Sequence, residues 1–479
     1  MNNRMVVYLL GWLLFFEGVF LVLPGVVGAI YRESDMCYFF LTSAVCIVLG
    51  LLISRFKPKD NSFYAREGFV VVAISWILMS LLGALPYYMG GSIPSYIDAV
   101  FETASGLTTT GASICPSVED LPKCVNFWRT FTHWIGGMGV LVFMMAVVPL
   151  AGGSNMFLMK AESPGPSVGK IVPKVKSTAK ILYGLYIILS LLEFIMLLIG
   201  RMSVYDAITT TFGTAGTGGF GIYNDSFASF SSYIQIVVTV FMLLFGVNFS
   251  FYYLIFIERK VKDALKMSEV KLYGAIIVIA TIIITINISR LYGGPLEALK
   301  HSAFQVVTII TTTGYATTDF DKWPEFSKTI LVTLMFIGAC AGSTGGGMKV
   351  SRVIIWFKTL VKELKVMIHP RNVYKVLVDG KKVEHEVVRS VNVYLVAYIV
   401  VFLTSVILIS LDNFDFTTNF TGVAATINNI GPGLNKVGPT CNFSMYSAMS
   451  KIVLIFDMIV GRLELFPMLL LFSPSTWKK

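Results

Sequence analysis

Charged side chains are scarce in this sequence. Asp, Glu, Lys and Arg together make up 14% of its 479 residues, whereas soluble domains carry about 25%. Hydrophobic residues account for 55% of the chain. This composition excludes an ordinary soluble protein, and it predicts an all-α protein that crosses a membrane several times.

Side chains that bind metals or act as nucleophiles form no recognisable set. The four histidines are His133, His301, His369 and His385. They form no cluster with cysteines or carboxylates at metal-ligand spacing, so we interpret them as interfacial or loop residues. Cys115 and Cys124 share one predicted outer loop and could form a disulfide in an oxidising compartment. Because the sequence shows neither a set of metal ligands nor a nucleophile at a suitable spacing from a base, we predict neither an enzyme nor an organic cofactor.

Long apolar runs dominate the chain. A helix needs about 20 residues to cross roughly 30 Å of hydrocarbon, and ten runs are read as spans. They are Met5–Ile30, Tyr38–Ser54, Gly68–Met89, Phe127–Leu150, Ile181–Gly200, Tyr233–Ile257, Leu272–Ser289, Ile330–Phe357, Val391–Leu411 and Ser447–Phe472. No small-residue cleavage site follows the first run, which is predicted to be retained as a span. Ten spans would place both termini on one side.

Basic residues alternate between the connections of these spans. Lys and Arg are concentrated in every second connection, within residues 55–66, 160–180, 259–271 and 358–389. Because Lys and Arg in short loops mark the cytoplasmic side, these connections and both termini are predicted to be cytoplasmic. The opposite loops are more acidic and would concentrate cations at an outer mouth. Membrane orientation alone explains most of these lysines.

One short motif occurs four times, each time between two apolar runs. Its copies are Thr108-Thr109-Thr110-Gly111, Gly216-Thr217-Gly218-Gly219, Thr311-Thr312-Thr313-Gly314 and Asn428-Asn429-Ile430-Gly431. The dozen residues before each final glycine align without a gap, and Asp98-Ala99-Val100 matches Asp206-Ala207-Ile208. The repetition predicts four pseudo-symmetric units of helix, pore loop and helix around one central pore, preceded by two N-terminal transmembrane helices.

A ring of four such loops is suited to selecting a dehydrated cation. Non-helical backbone is tolerated at membrane depth where it is buried in protein or lines water, and inward carbonyls can replace the hydration shell of an ion. Glycine permits this arrangement because it has no Cβ and adopts positive φ. Four copies in matching context favour a filter over ordinary turns.

A glycine-rich stretch interrupts the eighth apolar run. Residues 342–349 read Gly-Ser-Thr-Gly-Gly-Gly-Met-Lys, but the lysine comes one residue too late for a phosphate-binding loop, and no strand precedes it. Three consecutive glycines, Gly345, Gly346 and Gly347, should break the helix in the pathway beneath the filter. They form a candidate gate, and a kink that allows close helix packing is the alternative.

Arg462 lies inside the last apolar run, where a charge is costly and usually faces a cavity or a partner. Asp457 and Glu464 are not at a spacing that pairs them with Arg462 on a helix. A side chain that projects into the pore would oppose a resident cation and form part of the gate. A bridge to another helix, or snorkelling toward the interface, is the alternative.

The chain resembles the Trk/Ktr/HKT superfamily of potassium-uptake proteins in these motifs, over nearly its whole length. The most specific matches are residues 131–139 (FTHWIGGMG), 338–347 (GACAGSTGGG), 428–433 (NNIGPG) and 461–467 (GRLELFP). The two additional N-terminal spans resemble the Trk branch rather than the shorter Ktr branch. The resemblance implies potassium uptake across the plasma membrane through a gated filter.

The resemblance also implies which residues bind the ion. In family terms the potassium sites fall on the backbone of Thr110, Gly111, Gly218, Gly219, Thr313, Gly314, Ile430 and Gly431. Glycine at the last position of all four loops fits the family's potassium preference, whereas serine in the first is associated with sodium. The second loop departs from the first and third because Gly216 and Gly218 replace threonines.

Further implications concern partners and location. The resemblance implies a homodimer in the bacterial inner membrane, surrounded by lipid and gated by a cytoplasmic ring of TrkA-like nucleotide-binding subunits. It implies no nucleic-acid partner. A sodium- or proton-coupled symporter is the alternative function. The sequence shows no row of carboxylates for a proton relay, although Glu17 and Asp457 lie in apolar runs.

The repeats divide the chain into five units. Residues 1–60 are predicted to form the N-terminal two-helix extension, and residues 61–160 the first pore repeat. The other three pore repeats are predicted at residues 161–260, 261–385 and 386–479.

Overall fold

The computed structural model describes residues 2–58, 64–147 and 175–477, and these residues are almost entirely helical. The helices are α1 (Asn3–Tyr31), α2 (Met36–Ser54), α3 (Ala65–Gly83), α4 (Leu85–Met89), α5 (Tyr96–Leu107), α6 (Lys123–Val147), α7 (Val175–Ile199), α8 (Val204–Gly216), α9 (Ser232–Phe245), α10 (Phe249–Tyr252), α11 (Val261–Ala264), α12 (Ser268–Ile288), α13 (Pro295–Ile310), α14 (Glu325–Met335), α15 (Val350–Ile368), α16 (His385–Ile409), α17 (Phe416–Ile427), α18 (Ala448–Arg462), α19 (Phe466–Leu471) and α20 (Pro474–Trp477).

Short elements complete the secondary structure of the described residues. Strands β1 (Leu377–Val378) and β2 (Lys381–Lys382) pair antiparallel, with Leu377 opposite Lys382. One π-helical turn (Tyr253–Ile257) follows α10, and 3-10 turns occupy Phe320–Lys322, Ser410–Asp412 and Asn435–Val437. The prediction of an all-helical protein with many spans is therefore confirmed, because the only strands described form one four-residue hairpin.

Six stretches within the described residues are long and apolar enough to cross a membrane. They are Asn3–Tyr31, Met36–Ser54, Ala65–Met89, Ile181–Ile199, Ser268–Ile288 and His385–Asp412, with mean hydropathies of 2.1 to 2.5. Together they make the chain a multi-pass membrane protein. The predicted run Phe127–Leu150 extends beyond the described residues at its end.

Three of the ten expected spans are not continuous helices. The break in Ile330–Phe357 was predicted from its glycines, but Tyr233–Ile257 and Ser447–Phe472 were expected to be continuous, and that expectation was wrong. The chain bends by 90° between α9 and α10. The run Ile330–Phe357 is interrupted by non-helical residues 336–349, which we call the break segment. The last run is interrupted after Arg462, where Glu464 and Leu465 have φ of 55° and 66°. Such backbone is tolerated at membrane depth because it is buried in protein.

Four shorter helices, α5, α8, α13 and α17, precede the four glycine motifs. They contain 12 to 16 residues, too few to span the hydrocarbon core. Ser95, Ser203 and Asp415 cap three of them by accepting an amide of the first turn. The hydrogen bond from the Thr418 side chain holds the pKa of Asp415 below its ordinary value. Helix α13 begins instead with Gly294 and Pro295.

Helices α1 and α2 form a close antiparallel pair. A Cβ added at Gly50 would lie 2.5 Å from the Phe15 nitrogen, and one at Gly18 would lie 2.8 Å from the Ser43 carbonyl oxygen. Small residues at such positions let membrane helices approach closely. The Ser43 hydroxyl donates to the Gly18 carbonyl at 2.7 Å and adds a polar link across the pair.

The six cysteines are free thiols, so the disulfide considered between Cys115 and Cys124 is not formed. Cys124 lies in the first turn of α6, and its Cβ would be 3.2 Å from a Cβ built on Gly28 of α1. Its amide donates to Glu33 at 2.8 Å. Cys115 instead lines a cavity beside the first motif.

Candidate cation-binding site

The four motifs adopt the same backbone turn. We call them loop 1 (residues 108–111), loop 2 (216–219), loop 3 (311–314) and loop 4 (428–431). The residue two positions before each final glycine is left-handed, with φ of 56° at Thr109, 53° at Thr217, 60° at Thr312 and 56° at Asn429. The glycines follow with φ of 77° to 100° at Gly111, Gly219, Gly314 and Gly431.

One hydrogen bond recurs in all four loops. The amide of the residue before each final glycine donates to the carbonyl five residues earlier, at 2.8 Å in every copy. The donors are Thr110, Gly218, Thr313 and Ile430, and the acceptors are Ser105, Gly213, Thr308 and Ala425. Each short helix therefore ends in the same closed turn, as expected from the alignment of the sequences that precede the glycines.

The loops also neighbour one another in a closed cycle. A Cβ at Gly111 would lie 2.1 Å from the Gly218 carbonyl oxygen, and one at Gly219 would lie 2.0 Å from that of Thr313. A Cβ at Gly314 would lie 2.0 Å from the oxygen of Ile430, and one at Gly431 would lie 2.8 Å from that of Thr110. The structure thus brings together all eight residues that the sequence nominated. The last residue of each loop must be glycine, because a Cβ there would collide with a carbonyl oxygen of a neighbouring loop.

A cavity of about 180 Å³ opens beside this cycle of loops, and all four glycines line it. Its wall continues into the segments that follow the loops and includes Ser113, Phe220, Ala316 and Pro432. Backbone from all four repeats of the motif therefore reaches one common space.

Threonine hydroxyls anchor the loops to their own helices. Thr108 Oγ1 donates to the Ala104 carbonyl at 2.6 Å and pairs with Thr110 Oγ1 at 2.8 Å. Loop 3 repeats the arrangement, because Thr311 Oγ1 donates to Val307 and pairs with Thr313. In loop 2, Thr217 Oγ1 donates to the Gly216 carbonyl. The hydroxyls thus hold the backbone turn in the copies that contain them.

His133 is a site residue that the sequence analysis missed. It was interpreted as an interfacial or loop residue, but it is fully buried on α6. Its Nε2 accepts the Phe220 amide at 3.0 Å, and its Nδ1 lies 2.8 Å from the Gly106 carbonyl. A Cβ at Gly218 would lie 2.1 Å from the ring. His133 therefore links the helix before loop 1 to the backbone of loop 2. The sequence did offer one indication of this role, because His133 lies within the FTHWIGGMG segment that matches the family.

The two glycines that follow in this match explain the close packing of α6. A Cβ at Gly136 would lie 1.8 Å from the Leu107 carbonyl oxygen, and one at Gly137 would lie 2.6 Å from Gly216 Cα. Helix α6 therefore contacts the ends of both α5 and α8 directly. A larger side chain at either position would separate α6 from loops 1 and 2.

The break segment packs against loops 3 and 4. The Gly346 amide donates to Thr312 Oγ1 at 2.6 Å. A Cβ at Gly345 would lie 2.9 Å from the Thr311 carbonyl oxygen, and one at Gly346 would lie 2.6 Å from that of Asn428. The predicted break in the helix is confirmed, and its glycines allow the segment to contact the two loops.

The break segment pairs with the bend between α9 and α10. The Cys340 amide donates to the Gly246 carbonyl at 3.1 Å, and the Phe249 amide donates to the Gly342 carbonyl at 3.0 Å. Glu269 accepts the Ala341 amide at 2.6 Å. Two interruptions of helical structure therefore satisfy each other's backbone groups, as burial in the membrane requires.

Arg462 joins three separate segments of the chain. Its Nη1 donates to Thr109 Oγ1 at 3.0 Å and to the Thr344 carbonyl at 2.9 Å. Its Nη2 donates to the Gly136 carbonyl at 2.6 Å. Of the two nearby carboxylates, Asp457 accepts from the Ser405 hydroxyl and Glu464 pairs with Arg352. Arg462 therefore lies where loop 1, the break segment and α6 meet.

Residues 2–58, 64–147 and 175–477 contain no cluster of three or more His, Cys, Asp and Glu that could hold a metal ion. The oxygen atoms gathered around the four glycines are backbone carbonyls. Carbonyl oxygens of this kind suit a weakly bound, exchangeable alkali cation.

The fold and these loops define a helical, multi-span membrane transport protein, and comparison with known proteins agrees. The family of TrkH cation transport proteins matches residues 36–479. TrkH of Escherichia coli K12, a Trk system potassium uptake protein, is 34% identical over the full length of both chains. TrkG of the same strain is 32% identical over 99% of both. The crystal structure of the potassium transporter TrkH from Vibrio parahaemolyticus covers both chains fully, with 32% identity and a TM-score of 0.90.

The chain belongs to the TrkH family of cation transport proteins. It is therefore a transporter and not an enzyme.

Proposed function

We propose that this protein takes up potassium through a pore whose filter is the cycle of loops 1 to 4. The observation that carries the proposal is the close approach of each loop glycine to a carbonyl of the next loop, from Gly111 around to Gly431. Rings of backbone carbonyls replace the hydration shell of potassium in selective pores. The names of the full-length relatives, which are potassium uptake proteins, support potassium as the substrate.

The pore would be built from four helix, loop and helix repeats after a two-helix extension of residues 1–60. The repeats would occupy residues 61–160, 161–260, 261–385 and 386–479. The identical turn and the 2.8 Å hydrogen bond in each loop support this division. The first boundary lies among residues 59–63 and the second among residues 148–174, which are outside the described residues.

Potassium would bind to the backbone of Thr110, Gly111, Gly218, Gly219, Thr313, Gly314, Ile430 and Gly431. Glycine at the end of all four loops fits the potassium pattern of the family. An added Cβ at Gly111, Gly219, Gly314 or Gly431 would lie 2.0 to 2.8 Å from a carbonyl oxygen of a neighbouring loop. The helices before the loops would direct their negative C-terminal ends toward the bound ion.

The break segment and Arg462 would form the gate. Gly345, Gly346 and Gly347 lie in a segment that contacts loops 3 and 4, and Arg462 connects that segment with loop 1. Non-helical backbone can be displaced without unwinding a helix, and the positive charge of Arg462 would oppose a cation in the closed state.

The assembly would be a homodimer in the bacterial inner membrane, with both termini in the cytoplasm. The basic connections that support this orientation also offer positive surface to a cytoplasmic TrkA-like regulatory subunit that binds nucleotides. The relatives are named as parts of a Trk system, which supports a partner of this kind.

One observation favours a second function, a sodium- or proton-coupled symporter. Glu17, Glu193 and Asp457 are fully or almost fully buried, and at least one carboxylate oxygen of each makes no hydrogen bond to a described residue. Intramembrane carboxylates are common in proton pathways. They belong to three different helices, α1, α7 and α18.

Flux measurements on the purified chain in liposomes separate the two functions. Potassium and sodium gradients are imposed with and without a membrane voltage and a pH gradient. Flux that reverses at the potassium equilibrium potential supports the passive filter pore. Flux that also requires a sodium or proton gradient supports the symporter, and flux without potassium selectivity rejects the filter assignment.

A further inference from the structure

A buried ion pair lies beside the cavity next to loops 1 and 2. Arg129 of α6 and Glu102 of α5 are 1% and 0% exposed, and Arg129 Nη2 lies 2.7 Å from Glu102 Oε1. The Arg129 Nε also donates to the same oxygen at 2.8 Å. A buried ion pair is weak evidence for stability, because removing both charges from water is expensive. Its contacts indicate another role.

The carboxylate holds the segment that follows loop 1. Glu102 Oε2 accepts the Ile114 amide at 2.9 Å, and Glu102 Oε1 accepts the Ser113 hydroxyl at 2.9 Å. The Ser113 hydroxyl is also 3.3 Å from Arg129 Nη2. The chain that leaves Gly111 is therefore attached to the pair two and three residues after the glycine.

The guanidinium holds the segment that follows loop 2. Arg129 Nη1 donates to the Gly221 carbonyl at 3.3 Å, and its Cζ lies 4.3 Å from the centroid of the Phe220 ring. Gly221 is two residues after Gly219, as Ser113 is two residues after Gly111. The Asn126 amide oxygen accepts from the same Nη1 at 2.9 Å. One ion pair therefore holds equivalent positions of two neighbouring loops.

The third repeat has no such arrangement. Gln305 stands nine residues before Gly314, as Glu102 stands nine before Gly111. It is fully buried, and neither its amide oxygen nor its nitrogen makes a hydrogen bond to a described residue. In the fourth repeat the position nine residues before Gly431 is Gly422, and the hydroxyl of the preceding Thr421 accepts the Leu434 amide at 2.9 Å. The charged pair is thus a local device of repeats 1 and 2.

We propose that Glu102 and Arg129 are positioning residues that set the cation selectivity of the pore by fixing the spacing between loops 1 and 2. The inference rests on the proposed filter. Selectivity depends on how the carbonyls of neighbouring loops are held relative to one another. The guanidinium, whose Nε and Nη2 both contact Glu102 Oε1, provides a charge-assisted link between the two segments. Neither side chain is among the proposed ligands of the ion.

The test compares three variants by the potassium-to-sodium permeability ratio in liposomes. Glu102→Gln keeps the shape of the side chain but removes its charge. We expect its ratio to fall by about tenfold, equivalent to about 1.4 kcal/mol of lost discrimination. Arg129→Lys keeps the positive charge but loses the planar guanidinium with its several N–H donors. It should lower the permeability ratio as well. Gln305→Leu is the matched control and should retain the wild-type ratio.

The outcomes are distinct. If the wild type itself shows no potassium selectivity, the proposed filter fails and the inference fails with it. If the wild type is selective and folded Glu102→Gln retains its ratio, even with a lower total flux, the pair has only a structural role and the inference is wrong. Should Glu102→Gln fail to fold, Ser113→Ala decides, because it removes one hydroxyl that contacts both charges. An unchanged ratio in Ser113→Ala overturns the proposal.

Discussion

Loops 1 and 2 and loops 3 and 4 share one backbone turn but differ in what supports them. Side chains and glycines of the continuous helix α6 hold the first two, through His133 and Arg129. The other two contact the break segment, where Gly346 donates to Thr312. The difference teaches that four loops with the same backbone turn can be supported in two ways, two by a continuous helix and two by the break segment.

Arg462 is the exception that connects the two halves. Its guanidinium reaches Thr109 in loop 1 and Thr344 in the break segment. A displacement of the break segment would therefore change a contact of loop 1 as well as those of loops 3 and 4. The predictions below separate the two halves, beginning with the largest effect.

Gly314→Ala should almost abolish potassium flux. A Cβ at this position would lie 2.0 Å from the Ile430 carbonyl oxygen, and the residue has φ of 85°. We expect the flux in liposomes to fall by about a hundredfold, which corresponds to about 2.7 kcal/mol. Gly274→Ala is the control because nothing lies within 4 Å of its added Cβ. Wild-type flux in folded Gly314→Ala would contradict the close approach of loops 3 and 4.

Deletion of Gly345 to Gly347 should leave the pore more open. The segment contacts loops 3 and 4 and would no longer reach them. We expect basal potassium flux to rise by about tenfold, as when about 1.4 kcal/mol of closed-state stabilisation is lost. The flux is compared at equal amounts of reconstituted protein. A reduced flux with a normal gel-filtration profile would contradict the gate.

Gly111→Ser should admit more sodium. The added side chain would begin 2.1 Å from the Gly218 carbonyl oxygen and would disturb one quadrant of the cycle. We expect the potassium-to-sodium permeability ratio to fall by about tenfold. Gly431→Ser should have a smaller effect, because its Cβ would lie 2.8 Å from the nearest carbonyl oxygen. Equal ratios in wild type and Gly111→Ser would remove loop 1 from the filter.

Thr312→Val should weaken the closed gate with little change in selectivity. The substitution removes the hydroxyl that accepts the Gly346 amide at 2.6 Å. One hydrogen bond contributes about 1 kcal/mol, so basal flux should rise by about fivefold. Thr308→Val is the matched control, because the Thr308 hydroxyl is buried without a hydrogen bond to a described residue. Similar flux in both variants would show that the contact does not restrain the gate.

Local features of the sequence predicted much of the fold and nominated the residues of the four loops. Hydrophobic runs predicted the spans, and the aligned motifs predicted four equal turns that end in glycine. The consecutive glycines predicted the break in the eighth apolar run. The interruptions of the sixth and tenth runs were missed because hydrophobicity does not report where a helix bends. His133 was misinterpreted because no metal-ligand spacing involves it, whereas its role comes from the Gly106 carbonyl and the Phe220 amide.

The sequence by itself determined the membrane location, the helices and the positions that must be glycine, because composition and local sterics decide these. Only the tertiary structure decided which distant groups meet. Arg462 bonds to Thr109, 353 positions away, and Arg129 pairs with Glu102 across two helices. Such contacts depend on how whole helices pack around the loops, and buried polar groups then bond to whatever partner that packing brings within reach.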